Sequence, residues 1–142
     1  VAGERTPFVD PGLRGAWLGL GLDTSREGML RSVVEGVAHA VALGIDAVLG
    51  AGAPLPDPLP LIGGGSVDAR FRQLIADASG RRLAPRDQPD AAVVGAAFLA
   101  LGVTAPPASG ADDVIEPQNS AHELLTARQQ RLVEYVQQSH EQ

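Results

Sequence analysis

The hydrophobic period along the chain changes several times, and each change marks an element. Residues 1–15 are rich in Gly and Pro and carry no period, as a loop would. "AWLGLGL", residues 16–22, then alternates Trp17, Gly19 and Gly21 with leucines on the other side, which predicts a strand. From Asp23 the period lengthens. Leu30, Val33, Val34, Val37, Val41, Ile45 and Val48 recur at steps of three and four, predicting a long helix with one apolar stripe. Ser25 is placed to cap it, its hydroxyl accepting an orphan amide of the first turn, and Glu27 suits the positive end of the helix dipole. Gly36 and Gly44 inside the helix each cost about 1 kcal/mol relative to alanine, which points to a face packed closely on a sheet.

"APLPDPLP" stops the helix and leads into "LPLIGGG", a buried strand that runs into three glycines. "VDARFRQLIADASG" follows as a helix with Val67, Phe71, Leu74, Ile75 and Ala78 inward and Gly80 as its C-cap. "RRLAPR" fits a short strand, and residues 90–102 a second helix of small residues, in which Gly95, Ala96 and Ala97 allow close approach. Residues 105–119 read as a linker. Residues 120–142 read as a terminal helix burying Leu124, Leu125, Leu132, Val133 and Val136, with Ser120 and Glu123 as a capping box. No internal repeat is present.

Composition removes several chemistries. With 142 residues, 44% hydrophobic and 20% charged, the chain suits one globular unit with a core. No apolar run of the ~18 residues that a membrane span requires is read and no leader pattern is seen, so no membrane partner is expected and the cytoplasm is the default location. The absence of cysteine excludes disulfides and thiolate sites. A net charge of -6 argues against nucleic acid, and the arginines of "GRRLAPR" read as solvated surface charges. All 11 basic residues are arginine. Lacking lysine, the chain has neither a Walker-type phosphate loop nor Schiff-base chemistry.

A strand, three glycines and a helix start form an arrangement in which bare backbone can face an anion or a flat ligand; a tight turn needing positive φ gives the same pattern. The scattered polar residues say less. Asp68, Asp77, Asp87 and Asp90 are too widely spaced for a metal site, and helix capping is expected of Asp90 and Asp87. Glu35 reads as a structural acid, and His39, His122 and His140 lack metal-ligand spacing. Glu4, Arg5 and Asp10 could pair within their loop or stand at the mouth of a cleft. No nucleophile elbow is present.

The order "GERTPFVDPGLRGAWLGL", "REGMLRSVVEGVAHAV", "IGGGSVDARFRQLIADASG", "DAAVVGAAFLALG" resembles the C-terminal domain of the FGGY carbohydrate kinases from Gly3 to Gly102. Gly15, Trp17, Gly19, Leu20, Met29, Ser32, Val33, Val34 and Glu35 satisfy the second family signature; Gly28 departs from it, where a polar or acidic residue is expected. The resemblance implies an α/β fold, part of a ribonuclease-H-like domain of the actin-like ATPase superfamily, with a small sheet packed by helices. Residues 1–142 would be the C-terminal portion of the second kinase domain, with 1–104 the family-like region. The activity implied is ATP-dependent phosphorylation of a sugar, D-xylulose to its 5-phosphate first and a gluconokinase-like reaction second, with ATP and Mg²⁺ as cofactors. A stand-alone nucleotide-binding or interaction module is the alternative of another class.

Carried over by position, Gly63, Gly64, Gly65 and Ser66 would lie against the adenosine and phosphate side of ATP, Gly65 being where any Cβ would intrude on the ligand. Ala69 stands where glycerol kinases have an amide side chain for adenine and offers only packing. The helix from Asp90 would be a connecting helix at the interdomain hinge. The catalytic aspartate, sugar pocket and phosphate loops are expected upstream, in an N-terminal kinase domain, leaving no catalytic residue in this chain and none of its own turnover. A homodimer is left open.

Overall fold

The computed structural model describes residues 3, 5, 6, 9–12, 14–86, 90–104, 113–118, 127, 131, 134, 135 and 138. In chain order these form α1 (Arg26–Gly50), β1 (Leu59–Leu61), a short 3₁₀ turn (Gly64–Ser66), α2 (Ala69–Ser79), β2 (Leu83–Pro85) and α3 (Ala91–Leu101). Both strands, the two helices around the glycines and the small-residue helix fall where the sequence predicts them. Five scattered residues beyond 120 are also described, and all five, Ala127, Arg131, Glu134, Tyr135 and Gln138, are helical and exposed. The capping box of Ser120 and Glu123, the buried set from Leu124 to Val136, His122 and His140 lie outside the described residues.

Helix α1 begins as its sequence dictates: Ser25 has extended backbone and its Oγ accepts from Gly28 N at 3.0 Å. Its buried face differs from the predicted one. Ala38, His39 and Ala42 are buried, and Ala38 and Ala42 meet Ile75, Ala76 and Ala78 of α2 together with Leu83. Leu30, Val33, Val34, Val37, Val41 and Val48 are exposed, and only Ile45 of the predicted stripe is half-buried. At about 100° per residue the valine stripe lies roughly a quarter of the way round the helix from the alanine face. The small side chains win the contact with α2 because they let two backbones approach closely, while the larger ones stay exposed. Gly36 and Gly44 do not mark a sheet contact either: a Cβ on Gly36 would meet nothing within 4 Å, and one on Gly44 would meet Thr6. By length and composition α1 is also apolar enough to cross a membrane, which the run-length criterion does not reveal. Its packing on α2 is that of a helix within a domain.

β1 and β2 pair in parallel, Leu59 opposite Leu83 and Leu61 opposite Pro85, with α2 as the crossover. Leu59 N donates to Arg82 O and Leu61 O accepts from Arg86 N, so Leu59 and Leu61 face β2 and Pro60 faces away. Leu83 exchanges two bonds with Ile115, so it and Pro85 face away from β1. Each strand therefore carries its proline where no N–H is needed for the shared ladder.

Residues 113–118, expected to be linker, are docked. Beyond the Ile115 bridge, buried Asp77 accepts from Gln118 N and from Gln73 Nε2, both at 2.8 Å, and Gln73 also donates to Glu116 O. Residues 16–22 form no strand. Gly19 takes φ +71, which breaks the extended run, and no neighbour among the described residues offers a ladder, so Trp17, Leu18, Leu20 and Leu22 are exposed. Helix α3 is present, yet Asp90 makes no side-chain capping bond: with φ -105 and ψ 34 it lacks the extended geometry that aims a cap at the next amides. Asp87 lies outside the described residues.

Candidate functional site

The site is built where β1 gives way to α2. Gly63 has φ 100 and ψ 170, a combination open essentially to glycine alone. The chain then closes one 3₁₀ turn. Gly63 O accepts twice from Ser66, from its amide at 3.0 Å and its hydroxyl at 2.7 Å, while Val67 N reaches Gly64 O at 3.4 Å. Asp68 follows with extended backbone, and its Oδ1 accepts from Arg70 N at 2.8 Å and Phe71 N at 3.0 Å. Arg72 reaches back, Nη2 donating to Val67 O at 2.9 Å. Gly80, at φ 62, closes α2 in the left-handed conformation that a C-cap requires. Val67, expected inward, is exposed because it lies on the turn and precedes the helix.

The three glycines differ. A Cβ on Gly63 or Gly64 would project into open space, whereas one on Gly65 would lie 3.5 Å from Phe71 Cε1, ordinary contact. The bare faces open to a ligand are thus those of Gly63 and Gly64; Gly65 turns its own toward the protein. This differs from the expectation that a Cβ on Gly65 would intrude on a ligand. Ala69, the first residue of α2, is exposed beside the turn.

Asp68 also changes what the helix start can hold. Its carboxylate already takes the amides of Arg70 and Phe71, so an anion approaching α2 along its axis would meet negative charge. The open face is that of the glycine turn. Hydrogen bonds first from Phe71 N and then from Arg70 N hold the Asp68 carboxyl below its ordinary value of 3.8. A carboxyl lowered by folding contributes stability above its unfolded value and loses that contribution as pH falls through the folded one. In melts from about pH 7 to about pH 3, Asp68→Ala is expected to melt below the parent at neutral pH, with the gap closing in acid. A gap that stays constant across the series would refute the capping role.

The other polar residues are placed elsewhere. Arg82 grips Asp57 through two bonds, Nε to Oδ1 at 3.0 Å and Nη2 to Oδ2 at 2.8 Å, and lies 4.0 Å from Glu116. That bond, foremost, lowers the Asp57 carboxyl. Arg82 is therefore a partnered charge of the sheet end. Asp10 accepts from Gly12 N, a pairing within its own loop, and Arg5 is exposed; Glu4 lies outside the described residues. Glu35 accepts from Arg31 Nε at 2.6 Å, as a structural acid would. No group of three His, Asp or Glu that could hold a metal occurs among the described residues. Sequence reasoning missed Phe71 beneath the turn and buried Asp77. The first was within reach, since side chains of a first helical turn point back toward the N-terminus.

Solved structures carry the same architecture. A xyloylose kinase from Brucella ovis matches with TM-score 0.72 and 29% identity over 96% of this chain and 30% of its own. Gluconate kinase from Lactobacillus acidophilus matches with TM-score 0.74 and 22% identity over 94% of this chain and 29% of its own. The elements thus form part of an α/β, ribonuclease-H-like domain of the actin-like ATPase type. Residues 1–102 match the C-terminal domain of the FGGY family of carbohydrate kinases, and the chain belongs to that family. Xylulose kinase of Escherichia coli strain K12 is 40% identical over 101 residues, 70% of this chain and 21% of that protein. The chain spans about a fifth of the length of such relatives.

Proposed function

We propose that the chain is the nucleotide-side portion of an ATP-dependent sugar kinase that converts D-xylulose to D-xylulose 5-phosphate. The observation that carries this is the strand, glycine turn and capped helix from Leu59 to Ser79, lying inside the family-matched region. In this reading Gly63, Gly64 and Ser66 lie against the adenosine and phosphates of ATP. Gly65 completes the turn from below, and Ala69 packs beside the base. Phosphoryl transfer depends on positioning and on charge stabilisation, so the catalytic aspartate, the phosphate loops and the sugar pocket belong to the rest of the kinase. Mg²⁺ would likewise be held there, since the described residues of this chain do not fit a metal. The exposed valine stripe of α1 supports a chain seated on further protein. The cytoplasm, where ATP is supplied, is the compartment proposed.

Gluconate is the second substrate to consider, because a gluconate kinase shares the architecture as closely as a xylulose-type kinase does. The complete reading frame should be tested for ATP-dependent phosphorylation of D-xylulose, gluconate, glycerol and L-fuculose, with the 142 residues alone as control. The expected result is turnover of D-xylulose by the long form only. Turnover of gluconate instead would replace the substrate. No turnover of any of these sugars would leave a nucleotide-binding or interaction module as the better account.

A further inference from the structure

Three groups hold the glycine turn, and they do different things. The bonds from Ser66 to Gly63 O fix its internal shape, and Arg72 ties its exit to α2 through Val67 O. Neither links the turn to the core. Phe71 does: its Cε1 is the sole described atom within 4 Å of the place a Cβ on Gly65 would occupy, neighbours in sequence aside. The same ring is half-buried against the cluster of Ala38, Ala42, Ile75, Ala76, Ala78 and Leu83. It spans from the α1–α2 contact to the underside of the turn, and the bare Cα of Gly65 lets it come that close.

We propose that Phe71 is a positioning residue for nucleotide binding, its ring setting the height of the Gly63–Ser66 turn above the core without itself touching the nucleotide. This rests on the reading that the turn lies against ATP. A ring wedged in this way preorganises the bare face of Gly63 and Gly64; a smaller, flexible side chain leaves the turn free to settle, and binding must then restore it.

The test uses the complete protein, with dissociation constants for ATP and for D-xylulose measured by calorimetry and melting temperature followed in parallel. Phe71→Leu should weaken ATP roughly five- to twentyfold and leave D-xylulose within about twofold, while Phe71→Trp, which keeps a flat ring, should recover most of the ATP affinity. Equal loss of both ligands, or a lower melting temperature with unchanged ATP affinity, would make the ring ordinary core packing and overturn the proposal. Gly64→Val separates the two levels, because its side chain would project from the turn into open space. If that variant binds ATP as the parent does, the assignment of the turn fails and the role of Phe71 falls with it. If Gly64→Val abolishes binding while Phe71→Leu does not weaken it, only the role of Phe71 is lost.

Discussion

Gly63→Ala in the complete protein is expected to weaken ATP binding by about 5- to 150-fold, the range set by roughly 1–3 kcal/mol of backbone strain. The cause is conformational. At φ 100 and ψ 170 an alanine collides with its own backbone, although its methyl group would meet no other atom within 4 Å. The chain would relax by rotating φ, and that rotation would carry Gly63 O away from Ser66, which donates to it twice. Restoring the turn would then be charged against binding. Calorimetry with ATP reads the loss directly. An affinity within twofold of the parent would show that nucleotide does not depend on this turn.

Leu83→Ala carries the largest expected cost in stability, about 2–5 kcal/mol, the range for emptying a buried leucine site. Leu83 is 2% exposed and is the largest fully buried side chain among the described residues. It lies against alanines from both helices, which are too short to fill the vacated space. Its main-chain bonds to Ile115 are made by any residue, so the loss belongs to the side chain. Urea denaturation should show a lower midpoint, with faster amide exchange at Ile115. A change below about 1 kcal/mol would mean that the core around Leu83 collapses without cost.

Much of the fold was legible from local signals. Ser25 as a cap, Gly80 as a C-cap and the glycines after Leu61 act through neighbouring backbone, and each stands where its chemistry puts it. Signals that depend on a partner misled. The alternation from Trp17 to Leu22 looks like a strand, but a strand exists only beside another, and none lies next to it among the described residues. The valines of α1 outweigh its alanines in hydrophobicity, yet the contact with α2 selects for closeness of approach. The docking of 113–118 depends on Asp77, 41 residues from Gln118, and no local pattern marks such a pairing. At the site, the glycine positions were legible and their orientations were not, because the direction of each Cα–H vector follows from φ values that sequence does not state. Phe71 was assigned to the core, and its second contact came only with the turn in place.

Among the described residues, the two-stranded sheet has one unpaired edge. Ile115 occupies the outer edge of β2, where Pro85 presents no donor, so that side is closed to a newcomer. Among the described residues nothing pairs with the outer edge of β1, and there Pro60 offers a carbonyl but no amide proton. A strand arriving at β1 would find an acceptor without its matching donor, which discourages chance pairing between stray copies. Any further strand joining this sheet would therefore lie beside Leu59–Leu61, adjacent to the glycine turn.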